Sequence, residues 1–592
     1  MKKIWIAISM LAPVYAVQAQ ISQGGLPLQW SVNEARTIIK PAIPVYYQAP
    51  DIKTFLAEEQ EQSQKGPGPY LCGKRIPVDL SFPRSGTMTQ LPDGRKIWTA
   101  QVDMGQVPGL LFYYDHFALP EGVRYYITNA NNRQVLGAYT AANNSRDGLF
   151  ATQEVQGGIV NFEIDMDRDV DPETIKWHIN EAAVMFRGAE HLKQYSGNDV
   201  LLSDQLLGSS SVCEINAICP QGANYPSQRK ATARIVAPTG NGFLGLCSGT
   251  LLNNTKADCK PYFLTASHCE ETSSMSSSTF SQWLFYFNFE TPDCSGTGNA
   301  PDNQTMTGAS FAARSIHNTI AIGDFLLLKL NQDIPAAYGV YLAGWDRSQV
   351  LPTQNTTYIG FHHPAGDVKK LSKANNILSD VYNQIATPDT HWLTTFTEGG
   401  AEGGSSGSGL FDVNGRLVGD LTGGLSIQAC PQGVNALGQP TRMGNVAMYS
   451  KFDRNWAYPE SNDATNQQLQ PWLDPNNTGA VTTNAIASSS CNGAPDPTGI
   501  NSAQTALEQA VALYPNPVVN GVLRIKINMR HSADLQVSVY DITGSVKGAY
   551  RLRNTTAGDY SLNMNGYANG AYLVRINNGH ATISRKVMIQ HQ

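Results

Sequence analysis

A chain of 592 residues is too long for one ordinary hydrophobic core, so it must divide into several domains. Only 15% of the residues are charged and the net charge is −6, which excludes the basic footprint of a nucleic-acid-binding protein. After the amino terminus no stretch carries the roughly 20 continuous apolar residues that a membrane-crossing helix needs, so no transmembrane segment is expected in the mature chain.

Met1-Lys2-Lys3, an apolar run as far as Val17 and the small-residue pattern Val17-Gln18-Ala19 predict an export signal over residues 1–19. Outside the cytoplasm the nine cysteines read as disulfide material. Residues 20–207 are predicted to be mostly β, from the apolar segment 109–114 and the partly alternating segment 158–164, with a more helical piece around 172–186. This region reads as a propeptide, with a secreted binding module as the alternative. From 208 to 480 short apolar strands (283–289, 325–330, 358–361, 415–421) alternate with Gly, Asn, Ser and Pro turns. That rhythm fits an all-β pair of barrels better than βαβ units, which require long amphipathic helices between strands. A linker rich in Ala, Ser, Asn, Pro and Thr is expected over 481–508. The last module, 509–592, alternates with period two at 523–527, 535–540 and 571–576, the pattern of β-sandwich strands with one buried face.

Three chemistry-bearing motifs follow one another in the barrel region. His268 stands in Leu264-Thr265-Ala266-Ser267-His268-Cys269, Asp324 in Ile322-Gly323-Asp324-Phe325, and Ser406 in Glu402-Gly403-Gly404-Ser405-Ser406-Gly407-Ser408. A serine hydroxyl is a poor nucleophile until an imidazole takes its proton, and the imidazole needs an acceptor behind it to fix its tautomer. His268, Asp324 and Ser406 supply these three roles. Asp293, Asp302 and Asp333 are rival carboxylates in less strand-like surroundings. Gly404 permits the tight turn that would aim its own N–H and that of Ser406 at a developing oxyanion. The adjacent His362 and His363 point to opposite faces of a strand and make a poor chelate. With no spaced Cys/His cluster either, neither a metal nor another cofactor is expected. A nucleophile elbow on an α/β sheet would carry a different order and rhythm, which disfavours an esterase.

The stretches 211–220, 247–254 and 262–269, with Ala343-Gly344-Trp345-Asp346-Arg347, His362-His363-Pro364, the Ser406 loop and Trp472-Leu473-Asp474-Pro475, make residues 208–480 resemble the lysyl endopeptidases. The resemblance implies a chymotrypsin-like double β-barrel and an exported serine endopeptidase acting on proteins or peptides. It further implies His268 as general base, Asp324 as its orienter, a mature start at Gly208, and the bridges Cys213–Cys430, Cys219–Cys294 and Cys247–Cys269. Cys72, Cys259 and Cys491 have no implied partner. A protease fold used only for binding or adhesion is the competing reading, against which the intact set of four catalytic positions argues. Trypsin-like zymogens carry, just before the nucleophile, an aspartate that pairs with the freed amino terminus. Ser405 stands there in this chain, so maturation is expected to work by removing control from the propeptide without that pair. The final module resembles type IX secretion sorting domains through Tyr514-Pro515-Asn516-Pro517, the segment 539–544 and the segment 570–576. This implies passage through the periplasm and the type IX machinery to the medium or the cell surface.

Specificity departs from the family. A lysine pocket needs a buried carboxylate, because an unpaired ammonium is costly there. Thr441 occupies the place of the family's aspartate, and no acid occurs from Leu421 to Phe452. Thr422 replaces the family's pocket-edge histidine, next to Gly423. Asp420 stands two residues before Thr422 and would share its face on a regular strand, so either Asp420 restores a cation pocket or it lies elsewhere. A propeptide ending in Leu206-Leu207 points to an apolar P1 residue if maturation is autocatalytic.

Overall fold

The computed structural model describes residues 22–590, except 56–67, 197–207, 316–321, 381–388, 435–442, 458–464, 492–506 and some shorter stretches. The expected signal segment and Thr441 lie outside the described residues. The chain forms two compact units, Met1–Cys491 and Asn492–Gln592.

The first unit is built from strands, as the short apolar runs require. In its amino-terminal part, one sheet joins Pro44–Tyr46, Thr87–Gln90, Lys96–Asp103, Ile159–Met166, Val123–Asn129 and Val135–Tyr139. The helical piece expected around 172–186 is not there. Pro172–Thr174 makes one 3₁₀ turn, capped by the Asp171 carboxylate, which accepts from the Glu173 amide at 3.0 Å. Lys176–Met185 is then a strand, paired on one side with Tyr70–Ser81 and on the other with Gly109–Ala118. Two flanking ladders override the helical preference of Glu181-Ala182-Ala183, as tertiary context routinely does.

The first barrel of the 208–491 part consists of Thr232–Pro238, Phe243–Leu252, Tyr262–Ala266, Leu284–Phe287, Thr305–Thr307, Ala309–Arg314 and Phe325–Leu330. The second is closed. Lys370–Asn376, Gln354–His362, Gly409–Phe411, Leu417–Gln428, Gly444–Lys451 and His391–Glu398 pair in that order, and the last returns to the first. Bridges join Cys213 to Cys430, Cys219 to Cys294 and Cys247 to Cys269, while Cys72 is free and buried. The boundary expected at 480 and the linker expected over 481–508 require correction at their start. Ile486–Ala487 pairs antiparallel with Tyr341–Leu342, so the first unit continues to Cys491. A two-residue strand is too short to show an alternating pattern.

The amino-terminal part is not a detached module. Its strand Tyr70–Ser81 adds to Phe243–Leu252 of the first barrel, with Tyr70 opposite Leu246 and Lys74 opposite Phe243. Leu111, Tyr113, Met185 and Leu192 share an apolar cluster with Val236, Leu246, Tyr286 and Phe289. At the centre of this interface Glu154 accepts from the Arg234 guanidinium at 3.2 Å and from the Tyr286 hydroxyl, and both ionic side chains are at most 1% exposed. Removing one partner of a buried ion pair costs about 3–5 kcal/mol, because it strands the other charge. Glu154→Ala should therefore lower the urea midpoint of the intact chain sharply, and adding Arg234→Met should restore most of the loss. An unchanged midpoint in the single variant would refute this role for the pair.

The second unit is a five-stranded sheet, Val511–Tyr514, Val522–Asp541, Val546–Asn563, Gly570–Asn577 and Thr582–Ile589. Leu523, Ile525, Ile527, Leu535, Val537 and Val539 alternate into its core, which contains Val574, Ile576, Val587 and Ile589. The long strand passes register shifts between Asn528 and Leu535, where its pairing changes.

Candidate active site

Antiparallel pairing of Tyr262–Ala266 with Phe325–Leu330 sets Ala266 opposite Phe325. The residues just beyond that pair are Ser267 and Asp324, joined by a Ser267 N–H to Asp324 carbonyl bond of 2.7 Å. This register, not sequence proximity, brings the imidazole to the carboxylate. His268 Nδ1 lies 2.6 Å from Asp324 Oδ2, and the His268 amide donates to Asp324 Oδ1 at 3.0 Å. Asp324 is 1% exposed. Its two oxygens thus fix both the ring and the backbone of His268, leaving Nε2 on the far side. Nε2 is buried and without a hydrogen-bond partner among the described residues. Cys247–Cys269 pins the turn that carries His268.

Ser406 comes from the second barrel, on the loop before Gly409–Phe411, and its carbonyl accepts from the Ser248 amide at 2.8 Å. Two glycines make this loop. Gly407 has φ +81°, and a Cβ there would lie 2.2 Å from Thr265 Oγ1 and 2.5 Å from the Ala266 nitrogen, on the strand leading to His268. Gly404 has φ +95°, and a Cβ there would meet the His363 carbonyl at 2.8 Å. Ala365 N–H donates to the Gly403 carbonyl at 2.6 Å, and Ser248 Oγ donates to the Gly404 carbonyl at 2.8 Å. Because a trans peptide is planar, holding the Gly403 carbonyl points the Gly404 N–H away from Ala365. Among the described residues neither the Gly404 amide nor the Ser406 amide has an acceptor. Two such N–H groups flanking a serine can receive a developing oxyanion.

His362 and His363 are buried and serve the same loop. His362 Nδ1 lies 2.8 Å from Ser405 Oγ and its Nε2 lies 2.8 Å from Ser372 Oγ. Burial pushes its pKa down to about 3, so the ring is neutral. His363 Nδ1 lies 3.0 Å from the Asp367 carbonyl, and its amide donates to Ser248 Oγ.

Asp420 is enclosed in the ladder of the second barrel. It is 0% exposed, opposite Ser450 in the ladder, and its Oδ1 accepts from Asn455 Nδ2 at 3.3 Å. Ser450 Oγ lies 2.9 Å from the same Asn455 nitrogen and accepts from the Asp324 amide at 3.1 Å. Burial, then the nearby Asp324 charge, pushes the Asp420 carboxyl well above the usual range. Asp420 thus belongs to a polar layer behind Asp324. The shared face expected for Asp420 and Thr422 fails because the register shifts between Leu421 and Gly423, a bulge at Thr422 that breaks alternation. Thr422 is buried, whereas Gly423 is partly exposed. Glu402 turns toward the amino-terminal side of its barrel, accepting from the Ser211 amide at 2.7 Å.

Sequence alone does not point to Ser248, Ala365, Ser450 or Asn455. Ser248 follows Cys247 in a stretch that carries the family resemblance, but the other three enter only through register and loop shape.

Residues 207–436 match the family model described as lysyl endopeptidase, C-terminal domain, and residues 512–590 match the secretion system C-terminal sorting domain. The protease domain is related to the lysyl endopeptidases. A lysyl endopeptidase of Pseudomonas aeruginosa is 31% identical over 264 residues, covering 42% of this chain and 53% of that protein. The chain thus spans about half the length of this curated relative. Among solved structures, a Glu endopeptidase in complex with MPD is 15% identical and covers 41% of this chain and 92% of its own, with a TM-score of 0.26. The secreted serine protease VesC from Vibrio cholerae is 13% identical, with coverages of 61% and 69% and a TM-score of 0.24.

Proposed function

We propose that this chain is an exported serine endopeptidase that hydrolyses peptide bonds through an acyl-enzyme. The observation carrying this reading is the convergence of an Asp324-anchored His268 with the Ser406 loop, where the Gly404 and Ser406 amides lack acceptors among the described residues. Ser406 Oγ attacks the scissile carbonyl while His268 Nε2 takes its proton, and the oxyanion is received by the Gly404 and Ser406 amides. His268 then returns the proton to the leaving amine. Water, deprotonated by the same nitrogen, releases the acyl group.

The P1 pocket accepts uncharged side chains in this proposal. Asp420, the carboxylate that could have replaced the missing family aspartate, is enclosed behind Asp324, and a lysine ammonium without a carboxylate would be strongly disfavoured. One experiment covers both parts. Protein cut before Gly208 is incubated with an organophosphonate serine probe and, separately, with a proteome-derived peptide library. The expected results are an adduct on Ser406 and cleavage after apolar residues, with the same preference in Asp420→Asn. Label elsewhere with Ser406 unmodified would reject the chemistry, and strict lysine cleavage abolished by Asp420→Asn would reject the pocket assignment.

The sorting-domain match at 512–590 supports delivery by type IX secretion to the medium or the cell surface. A chain lacking residues 509–592 should be retained in the periplasm while keeping its fold. Unchanged delivery would dismiss that role.

A further inference from the structure

The amino-terminal strap of the protease part is held by a buried acid that the proposed chemistry leaves unused. Asp367 is 4% exposed. Its Oδ1 accepts from the Gly208 amide at 3.2 Å and the Val368 amide at 2.8 Å. Its Oδ2 accepts from the Ser210 amide at 3.3 Å and the Ser210 hydroxyl at 2.6 Å. Burial pushes this carboxyl up, but the Lys370 ammonium, 3.5 Å from Oδ2, and these hydrogen bonds hold it below its ordinary value. Around it the charge is unbalanced. Glu402 accepts from Ser211 of the same strap, and Glu214, more than nine-tenths buried, adds a further carboxyl close to Glu402. Glu190 approaches from the amino-terminal region, and burial pushes the carboxyls of Glu190, Glu214 and Glu402 up. Lys370, already bonded to Asn216 Oδ1 at 2.8 Å, is the cation paired with Asp367.

We propose that Asp367 is a positioning residue that receives the amino terminus created by cleavage before Gly208 and thereby fixes the oxyanion turn. The proposal rests on the serine-endopeptidase reading above. Hydrolysis of the Leu207–Gly208 bond consumes one water and leaves a carboxylate on Leu207 and an ammonium on Gly208. The nitrogen that carries the new charge is the one already facing Asp367 Oδ1, so a neutral amide bond becomes a charge-assisted one in a buried, acid-rich site. Asp367 also ends the loop that shapes the oxyanion turn. Its amide donates to the Pro364 carbonyl at 2.9 Å and its carbonyl meets His363 Nδ1, while Ala365 between them holds the Gly403 carbonyl. Anchoring Asp367 thus stabilises the one peptide orientation that points the Gly404 N–H away from Ala365. Ser405 cannot form such a pair, and the receptor sits instead some 40 residues upstream, on a different loop.

Cyanate, which carbamoylates unprotonated α-amines, tests this on chain cut before Gly208. In the wild type the pH dependence of carbamoylation at Gly208, read by mass spectrometry, should give a pKa above the ordinary range of about 7.7–8.0. Carbamoylated wild type should lose kcat by about 100-fold, the effect of losing one oxyanion donor, with KM little changed. Asp367→Asn should show the same loss before treatment and none further after it. A Gly208 amine titrating in the ordinary range, or losses that multiply between carbamoylation and Asp367→Asn, would overturn the proposal. So would a mature chain beginning at another residue. The wild-type titration requires neither a folded variant nor activity, so a Ser406 that fails to take the phosphonate leaves this arm readable.

Discussion

Ser406→Ala and His268→Ala should each lower kcat by about 10⁶-fold, and combining them should cost little more than either alone. The reason is that in the proposed mechanism the two side chains perform one act. Without the hydroxyl there is no acyl-enzyme, and without Nε2 the hydroxyl keeps its proton. The loop survives both changes, because it is held through main-chain groups, the Ser406 carbonyl on the Ser248 amide and the Gly403 carbonyl on the Ala365 amide. Residual hydrolysis of about 10³–10⁴ over water should persist from the oxyanion donors and substrate binding. Steady-state kinetics on protein purified away from host proteases, with circular dichroism as a fold control, provides the measurement. A variant retaining a tenth of wild-type kcat would remove Ser406 from the mechanism.

The sequence makes the ends of strands legible and their mutual placement much less so. His268 and Asp324 are visible as polar residues closing and opening apolar runs, and the strand pair Ala266–Phe325 explains why both runs stop at the same level. The alternation in 523–527 and 535–539 is likewise written directly into Leu523, Ile525, Ile527, Leu535, Val537 and Val539, all of which are buried. Lys176–Met185 misleads because Glu-Ala-Ala is locally helical, and its two neighbouring strands lie some 60 to 100 residues upstream. Asp420 misleads for a different reason. Period-two reasoning assumes an unbroken strand, and a single extra residue at Thr422 is enough to cancel it.

The layer behind Asp324 could not be read from sequence at all. Asp420 comes from one strand, and Ser450 and Asn455 from the end of the next strand and the short helix Phe452–Trp456 that follows it directly; only the pairing of Asp420 with Ser450 collects them. Their arrangement gives Asp324 a fixed backbone amide and gives Asp420 a buried carboxyl whose burial and charged neighbour favour the protonated form. A second ionised carboxylate in that position would repel Asp324, so a neutral Asp420 is the arrangement compatible with a charged orienting acid.

Asp324→Asn is the sharper test of how the imidazole is held. The amide is nearly isosteric, so the buried site stays filled, and the oxygen of the new side chain can still accept from the His268 amide. Its nitrogen would then face His268 Nδ1, which becomes the acceptor, and the neutral ring carries its proton on Nε2. That is the wrong tautomer for removing the Ser406 proton, and kcat should fall by about 10⁴-fold at neutral pH. Raising the pH should restore part of the rate as hydroxide substitutes for the missing base, a recovery that a collapsed active site would not show. The phosphonate probe should report the same defect as slowed labelling of Ser406, while the urea midpoint remains near that of the wild type. If Asp324→Asn retained near-wild-type kcat with Nδ1 still protonated, Asp324 would be a structural carboxylate and the acid orienting His268 would have to be sought elsewhere.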